Sequence, residues 1–335
     1  CYQAATVRAM KPYAALNPEA ILDAIESCCG LRCDGRLQAL NSYENRVYQV
    51  WLEDGVSVVA KFYRPQRWTT EAIQEEQDFA TELAARELPV VAPLAFNGRT
   101  LHDHGGFQFA LTPRRGGRTP EFDDPETLQW MGRFIARIHA VGQTRPFEHR
   151  PTLDIESFAY EPVQFVLDSE FVPDDLYDTY ASVAEDVVER IERRWADAGA
   201  LRQIRLHGDC HAGNVLWTDE GPHFVDLDDA RMGPAVQDLW MCLSGDRKSQ
   251  QTQLMPLLAG YCEFREFDAN ELMLVEALRT LRMVHYAGWL ARRWDDPAFP
   301  ASFPFFNTQR YWQDHILSLR EQAAALDEPP LRWLG

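Results

Sequence analysis

The sequence predicts an α+β chain of two lobes, a smaller antiparallel-sheet lobe with a helix followed by a larger, mainly helical lobe. Three observations carry this. Apolar residues between positions 37 and 63 alternate across turn residues, the strand period. From 124 to 326 they recur mostly at helical spacing, broken by one short polar stretch at 206–231. The 335 residues, 46% apolar and 25% charged, are also enough to bury two sizeable cores.

Taken in order, Asn17-Pro18-Glu19 supplies a cap, a first-turn Pro and an early acid for a helix that ends before Gly30. Strands are expected at 37–40, 46–52 and 56–63, the last two joined by Glu53-Asp54-Gly55. A helix at 69–87 carries Phe79 and Leu83 on one face, with Glu76 on the same side. A strand pair is expected from 89–94, through Asn97-Gly98, to 107–111. TPRRGG, positions 112–117, reads as the link between lobes, so the N-lobe is assigned to 1–113 and the C-lobe to 114–335. C-lobe helices are expected at 124–141, 174–196, 235–243, 249–264, 270–293 and 308–326. The late aromatics, from Trp289 to Trp312, read as packing residues.

A formal charge of −18, from 33 basic and 51 acidic side chains, disfavours nucleic acid or an anionic membrane as the main partner. A nucleotide is still admissible, because a local Lys and a divalent cation override the global sign. The seven Cys form no repeating framework, which fits free thiols in a reducing cytosol. Cys28, Cys29 and Cys33 read as helix-end packing rather than a metal knuckle, and Cys210 as a candidate for oxidation. No apolar run is long enough to span a membrane, and the expected location is cytoplasmic. The chain opens on Cys1, so residues 1–10 are read as disordered or as sequence added upstream, and are set aside.

The polar stretch holds the chemistry. His207-Gly208-Asp209 is followed after four residues by Asn214, and Asp226 closes the apolar pair Phe224-Val225. In phosphoryl transfer one carboxylate faces the acceptor hydroxyl, while an amide and a second carboxylate face Mg²⁺, which prefers hard oxygen ligands. Two short strands around a Glu220-Gly221 turn would bring Asn214 and Asp226 to one end of a hairpin. Two other readings are weaker: His207, Asp209 and His211 as zinc ligands want further ligands at helical or hairpin spacing, and none follow, and Asp226-Leu227-Asp228 as a phosphatase nucleophile lacks the Thr that motif wants. Lys61, in the strand Val58-Val59-Ala60-Lys61, needs an anion to offset its burial. Glu76 is the chosen partner for it and Glu75 the alternative. Ser42, in the polar turn 41–45, offers a hydroxyl and an N–H to phosphate, and backbone around Leu111 offers contacts to adenine. Asp238, opening a helix after Gly233-Pro234, would brace the catalytic loop by accepting its N–H groups.

In this order Lys61, Glu76, Asp209, Asn214 and Asp226 resemble the aminoglycoside phosphotransferase and choline kinase branch of the protein-kinase-like fold. NSYENRVYQV, VVAKFYRPQRW, LHGDCHAGNVLW, FVDLDDARMGPAVQDLWM and RRWDDPAFP extend the resemblance to bacterial stress response kinases over nearly the whole chain. It implies a bilobal kinase fold, ATP and Mg²⁺ as cofactors, phosphorylation of protein Ser/Thr, a cytoplasmic monomer and a role in stress responses. It assigns Asp209 as catalytic base, Asn214 and Asp226 as Mg²⁺ ligands, Ser42 and Lys61 as ATP contacts, and Glu76 as the group orienting Lys61. Gly208 stands where protein kinases carry the Arg of HRD, so control by an activation-loop phosphate is not expected. The alternative is a small-molecule kinase acting on an amino alcohol, homoserine or an aminoglycoside; the acidic C-lobe suits cationic acceptors of either kind.

Overall fold

A computed structural model describes residues 13–335, which cluster into two compact units. The first gathers residues 13–69, Pro93–Arg114 and Arg292–Phe306; the second gathers Thr70–Ala92, Arg115–Ala291 and Asn307–Gly335. Contact rather than chain position sets this division. Cys1 and Met10 lie outside the described residues.

In the first unit, helix α1 (Pro18–Cys29) starts where the Asn17 side chain accepts the Ala20 N–H and ends at Gly30 in the left-handed region, φ 68°. Five antiparallel strands follow: β1 (Cys33–Ala39), β2 (Arg46–Leu52), β3 (Ser57–Phe62), β4 (His102–His104) and β5 (Phe107–Pro113), ordered β1-β2-β3-β5-β4. Alternation along β3 sends Val58, Ala60 and Phe62 into a core shared with Ile21, Ala24 and Ile25 of α1. Lys61 therefore lies on the sheet's other face, directly across from Val47 and Ala110.

The expected strand at 89–94 does not form. Pro89 and Pro93 cannot donate to a ladder, and the stretch makes one isolated bridge, Val90 to Phe224. β5 takes β4 as its hairpin partner instead, across Gly105-Gly106, both at positive φ.

The segment Arg292–Phe306 is fastened to the β1–β2 loop by charge. Asp296, 7% exposed, accepts from Arg64 at 2.5 Å and from Arg46 at 3.4 Å, while Glu44 pairs with Arg64 at 3.0 Å and Arg293 at 2.9 Å. Tyr43 packs on Phe303 with ring centroids 4.7 Å apart. The turn carrying Ser42 is thus pinned on both flanks.

In the second unit, α2 (Thr70–Ala85) precedes α3 (Pro125–Gly142), α4 (Glu161–Leu167), α5 (Asp174–Ala198), α6 (Val236–Trp240), α7 (Arg247–Cys262), α8 (Val275–Arg292) and a C-terminal helix, Gln309–Asp327. The π-turn Glu156–Tyr160 and α4 were not foreseen, and the helix expected at 270–293 divides into a 3-10 stretch, Ala269–Leu274, and α8. α3 and α7 touch backbone to backbone: a Cβ on Gly132 would lie 2.0 Å from the Leu257 oxygen, and one on Gly260 2.1 Å from that of Gln129. Four short strands, β6 (Ile204–Leu206), β7 (Val215–Thr218), β8 (Gly221–Phe224) and β9 (Arg231–Gly233), pair as β6-β9 and β7-β8. Among the described residues no helix is long and apolar enough to cross a membrane.

His315 on the C-terminal helix gives a pH prediction. It is buried beside Tyr180, Tyr311 and Trp312, and burial lowers its pKa from 6.5 to about 4. Between those values the unfolded chain binds a proton the folded chain refuses. The stability this neutral imidazole contributes is complete above pH 6.5 and falls as pH drops toward 4, by about 3 kcal/mol in total. His315→Gln is expected to remove that slope. The Tm difference between parent and variant should narrow from pH 7 to 4.5, and parallel curves would contradict the assignment.

Candidate active site

The stretch from β6 to β9 folds into one knot in the second unit. Asp209 lies in the loop after β6, and Asn214 ends a 3-10 turn, Ala212–Asn214, leading into β7. β7 and β8 pair Val215 with Phe224, and one step beyond, the Val225 N–H donates to the Asn214 carbonyl at 3.0 Å. Asn214 and Asp226 are thereby carried at the same end of the hairpin. Asp226 is a non-glycine residue in the left-handed region, φ 61°, ψ 66°, a strained conformation that clusters at functional sites.

Asn214 donates through Nδ2 to the Asp209 carbonyl at 2.9 Å and, at 3.4 Å, to its Oδ2. With the amide nitrogen so committed, Oδ1 of Asn214 is the atom left to meet a cation. His211 stands 3.4 Å from Oδ2 of Asp209 through Nε2, while its Nδ1 accepts the Gly213 N–H at 2.9 Å, which places the ring proton on Nε2. Oδ1 of Asp209 pairs with Arg282 from α8. Burial pushes the Asp209 carboxyl up, but His211 and Arg282 outweigh it and hold the group below the usual carboxylate range.

Loop geometry is set from behind. Asp238, 1% exposed, accepts the His207 N–H at 2.9 Å and the Gly208 N–H at 2.8 Å, the bracing expected from its position. It also accepts from Nε2 of His139 at 3.0 Å; Nδ1 of His139 takes the Tyr261 hydroxyl at 3.0 Å, and that hydroxyl accepts from Arg265 at 2.6 Å. The whole chain is satisfied with a neutral imidazole, and burial, against the pull of Asp238, lowers the His139 pKa. Gln237 donates to the Gly208 carbonyl at 2.9 Å. Gly208 itself has φ +85°, and a Cβ there would lie 2.1 Å from the Asp229 carbonyl oxygen, so the Arg of HRD cannot stand at this position. His207 donates through Nε2 to the Val225 carbonyl at 3.0 Å, tying the loop to the strand end before Asp226. With His207 and His211 so occupied, the zinc reading loses its ligands.

Past Asp226, Arg150 holds the turn Leu227–Asp229, donating to the Ala230 carbonyl at 2.7 Å and to that of Asp228. Arg150 is placed in turn by Glu75, whose carboxylate accepts the N–H groups of Glu148, His149 and Arg150 at 2.6, 2.8 and 2.9 Å. Glu75 is the residue named above as the alternative partner for Lys61. Glu76 is 6% exposed on the face of α2 that buries Ala72, Ile73, Phe79 and Leu83.

The other expected site residues belong to the first unit. Lys61 is half-buried, its Nζ 4.9 Å from the Tyr63 ring centroid. Ser42 is half-buried in the pinned β1–β2 turn. Leu111 is fully buried against α1, and its carbonyl accepts the Leu94 N–H at 2.7 Å. Cys210 is buried, and burial, with Asp238 beside it, pushes its thiol far above the ordinary value. The expected oxidation sensitivity is not supported, because thiolate is scarce there. Arg150, His139, Gln237 and Arg282 went unnoticed in the sequence. Arg150, His139 and Arg282 lie far along the chain from the loop they serve, and Gln237, although next to Asp238, carries no local signature.

The chain belongs to the phosphotransferase enzyme family, whose profile matches residues 36–275. It is 47% identical over 317 residues to stress response kinase A of Escherichia coli (strain K12), covering 95% of each chain. It is 46% identical over 317 residues, with the same coverage, to serine/threonine protein kinase RdoA of Salmonella typhimurium (strain LT2). Among solved structures, amicoumacin kinase hAmiN in complex with AMP-PNP, Ca²⁺ and Ami aligns with a TM-score of 0.69 at 18% identity, covering 92% of this chain and 93% of that one. A microcompartment-associated aminopropanol kinase aligns with a TM-score of 0.66 at 20% identity, covering 87% and 91%. The chain is thus a phosphotransferase of kinase-like fold, with a sheet-based N-terminal part and a helical C-terminal part.

Proposed function

We propose that this chain transfers the γ-phosphate of ATP to the hydroxyl of a serine or threonine in a protein, in the cytoplasm and as part of a stress response. The observation that carries the reading is the hairpin end that carries Asn214, bonded to Asp209, together with Asp226. The naming of a relative 46% identical over 95% of this chain as a serine/threonine protein kinase supports a protein acceptor.

In this reading Asp209 meets the acceptor hydroxyl. The hydroxyl oxygen bonds to the γ-phosphorus, the bond from that phosphorus to the β–γ bridging oxygen breaks, ADP leaves, and the hydroxyl proton passes to Asp209. A carboxylate held below its usual range is a weak base. It therefore orients the hydroxyl first and takes the proton late, which suits a loose transition state in which positioning and charge do most of the work. Asn214 through Oδ1 and Asp226 through its carboxylate are hard oxygen donors of the kind Mg²⁺ takes, with phosphate and water completing the shell. Mg²⁺, when bound, supplies neutralisation of the phosphate charge. Lys61 binds the phosphates, Glu76 orients it, Ser42 contacts ATP through its hydroxyl, and backbone around Leu111 meets adenine.

The test incubates the full chain with labelled MgATP and a panel of casein-like proteins, choline, homoserine and aminoglycosides. Label is expected on protein Ser or Thr. Label appearing only on a small amine would reject the protein-kinase reading, and turnover undiminished in Asp209→Ala would reject the catalytic one.

A further inference from the structure

The two oxygens of Asp209 face different surroundings. Oδ2 lies toward Asn214 and His211, each at 3.4 Å. Oδ1 is held by Nη1 of Arg282, a residue from the middle of α8 whose side chain is 44% exposed. Arg282 also approaches the Met241 sulfur at 3.7 Å. If Oδ2 belongs to the metal side, an incoming hydroxyl must bond to Oδ1, and it takes the place the guanidinium now holds.

We propose that Arg282 selects the acceptor, favouring a serine or threonine flanked by an anionic side chain and disfavouring a cationic acceptor. The inference rests on the reading of Asp209 as the residue that meets the acceptor. A guanidinium displaced from its carboxylate keeps its charge, and on a half-exposed helical side chain it stays within a few ångströms of the site. An anionic group arriving with the hydroxyl offers it a replacement, and hydrogen bonds between Arg and an oxyanion are among the stronger ones available. An ammonium arriving with the hydroxyl meets a like charge at close range. The chain's net charge of −18 points toward cationic acceptors, but charges more than about 8–10 Å away are largely screened at physiological salt. The single Arg at contact distance decides the sign. Tyr286, one turn further on the same face of α8 and 39% exposed, extends this surface beyond the point of transfer, which suits a peptide better than a compact amine.

The experiment presents the full chain and MgATP with a peptide library in which Ser is fixed and the flanking positions carry Glu, Gln or Arg, beside choline and homoserine. The parent is expected to prefer Glu-flanked over Arg-flanked Ser by roughly tenfold in kcat/KM. Arg282→Glu should invert that order and Arg282→Lys keep it in weaker form, with the changes falling on the acceptor KM and not on the KM for ATP. Equal use of all flanks by the parent, a preference for Arg, or an unchanged order in Arg282→Glu would overturn the inference while leaving a protein kinase intact. Should Arg282→Glu fail to fold, the parent's own preference and the Arg282→Lys variant decide the matter. Transfer confined to choline or homoserine, or none to any peptide, would remove the inference together with the reading beneath it.

Discussion

Asp209→Asn is expected to lower kcat about 10³-fold, the size of effect a positioned acid–base group supplies, and to leave the KM for ATP within about twofold. Asn keeps the shape of the side chain and can still accept from His211 or Arg282 through its one oxygen, so the loop should hold its form. What is lost is the charge that orients the acceptor and receives its proton. The loss belongs to the chemical step, because Asn214 and Asp226 stay in place through the strand pairing and the Val225 to Asn214 hydrogen bond. Steady-state kinetics with a thermal melt of the same preparation checks it. A variant that folds like the parent and keeps more than about a tenth of its kcat would show that Asp209 is not the residue at the reacting centre.

Asp238→Ala should be the most damaging substitution away from the reacting atoms. It strips the acceptor from three buried donors at once: the His207 and Gly208 N–H groups and Nε2 of His139. Leaving such groups unpartnered costs about 3–5 kcal/mol, a fall in Tm of roughly 10 °C for a unit of this size. Activity should fall as well, because the Gly208 peptide positions Asp209. Asp238→Asn, which can still accept through one oxygen, is expected to recover part of both losses. Differential scanning fluorimetry and kcat measured side by side check the pair; equal behaviour of the Ala and Asn variants would contradict the bracing role.

The hairpin was legible because its information is local. His207-Gly208-Asp209, Asn214 and Asp226 lie within twenty residues, and turn chemistry with strand period was enough to place Asn214 and Asp226 together. Asp238 was legible for the same reason, as an acid at a helix start just after the loop. The strand expected at 89–94 failed because an apolar run reads as a strand whatever its partner, and the two prolines allow one bridge instead of a ladder. Helical phase put Glu76 on the side of Phe79 and Leu83 and left Glu75 as the alternative; the fold adds that Glu75 accepts three N–H groups from the Glu148–Arg150 turn.

By itself the sequence determined the two-lobed α+β class, most of the helices, and the short-range set of Asp209, Asn214, Asp226 and Asp238, because each depends on periods and spacings of a few residues. Only the tertiary structure decided that Arg292–Phe306 packs with the sheet through Asp296 and Arg64, that Arg150 grips the turn after Asp226, and that Arg282 lies on Oδ1 of Asp209. These pairings join residues 70 to more than 200 positions apart. No local pattern encodes them, because groups so far apart in the chain meet only once the helices and strands between them have packed.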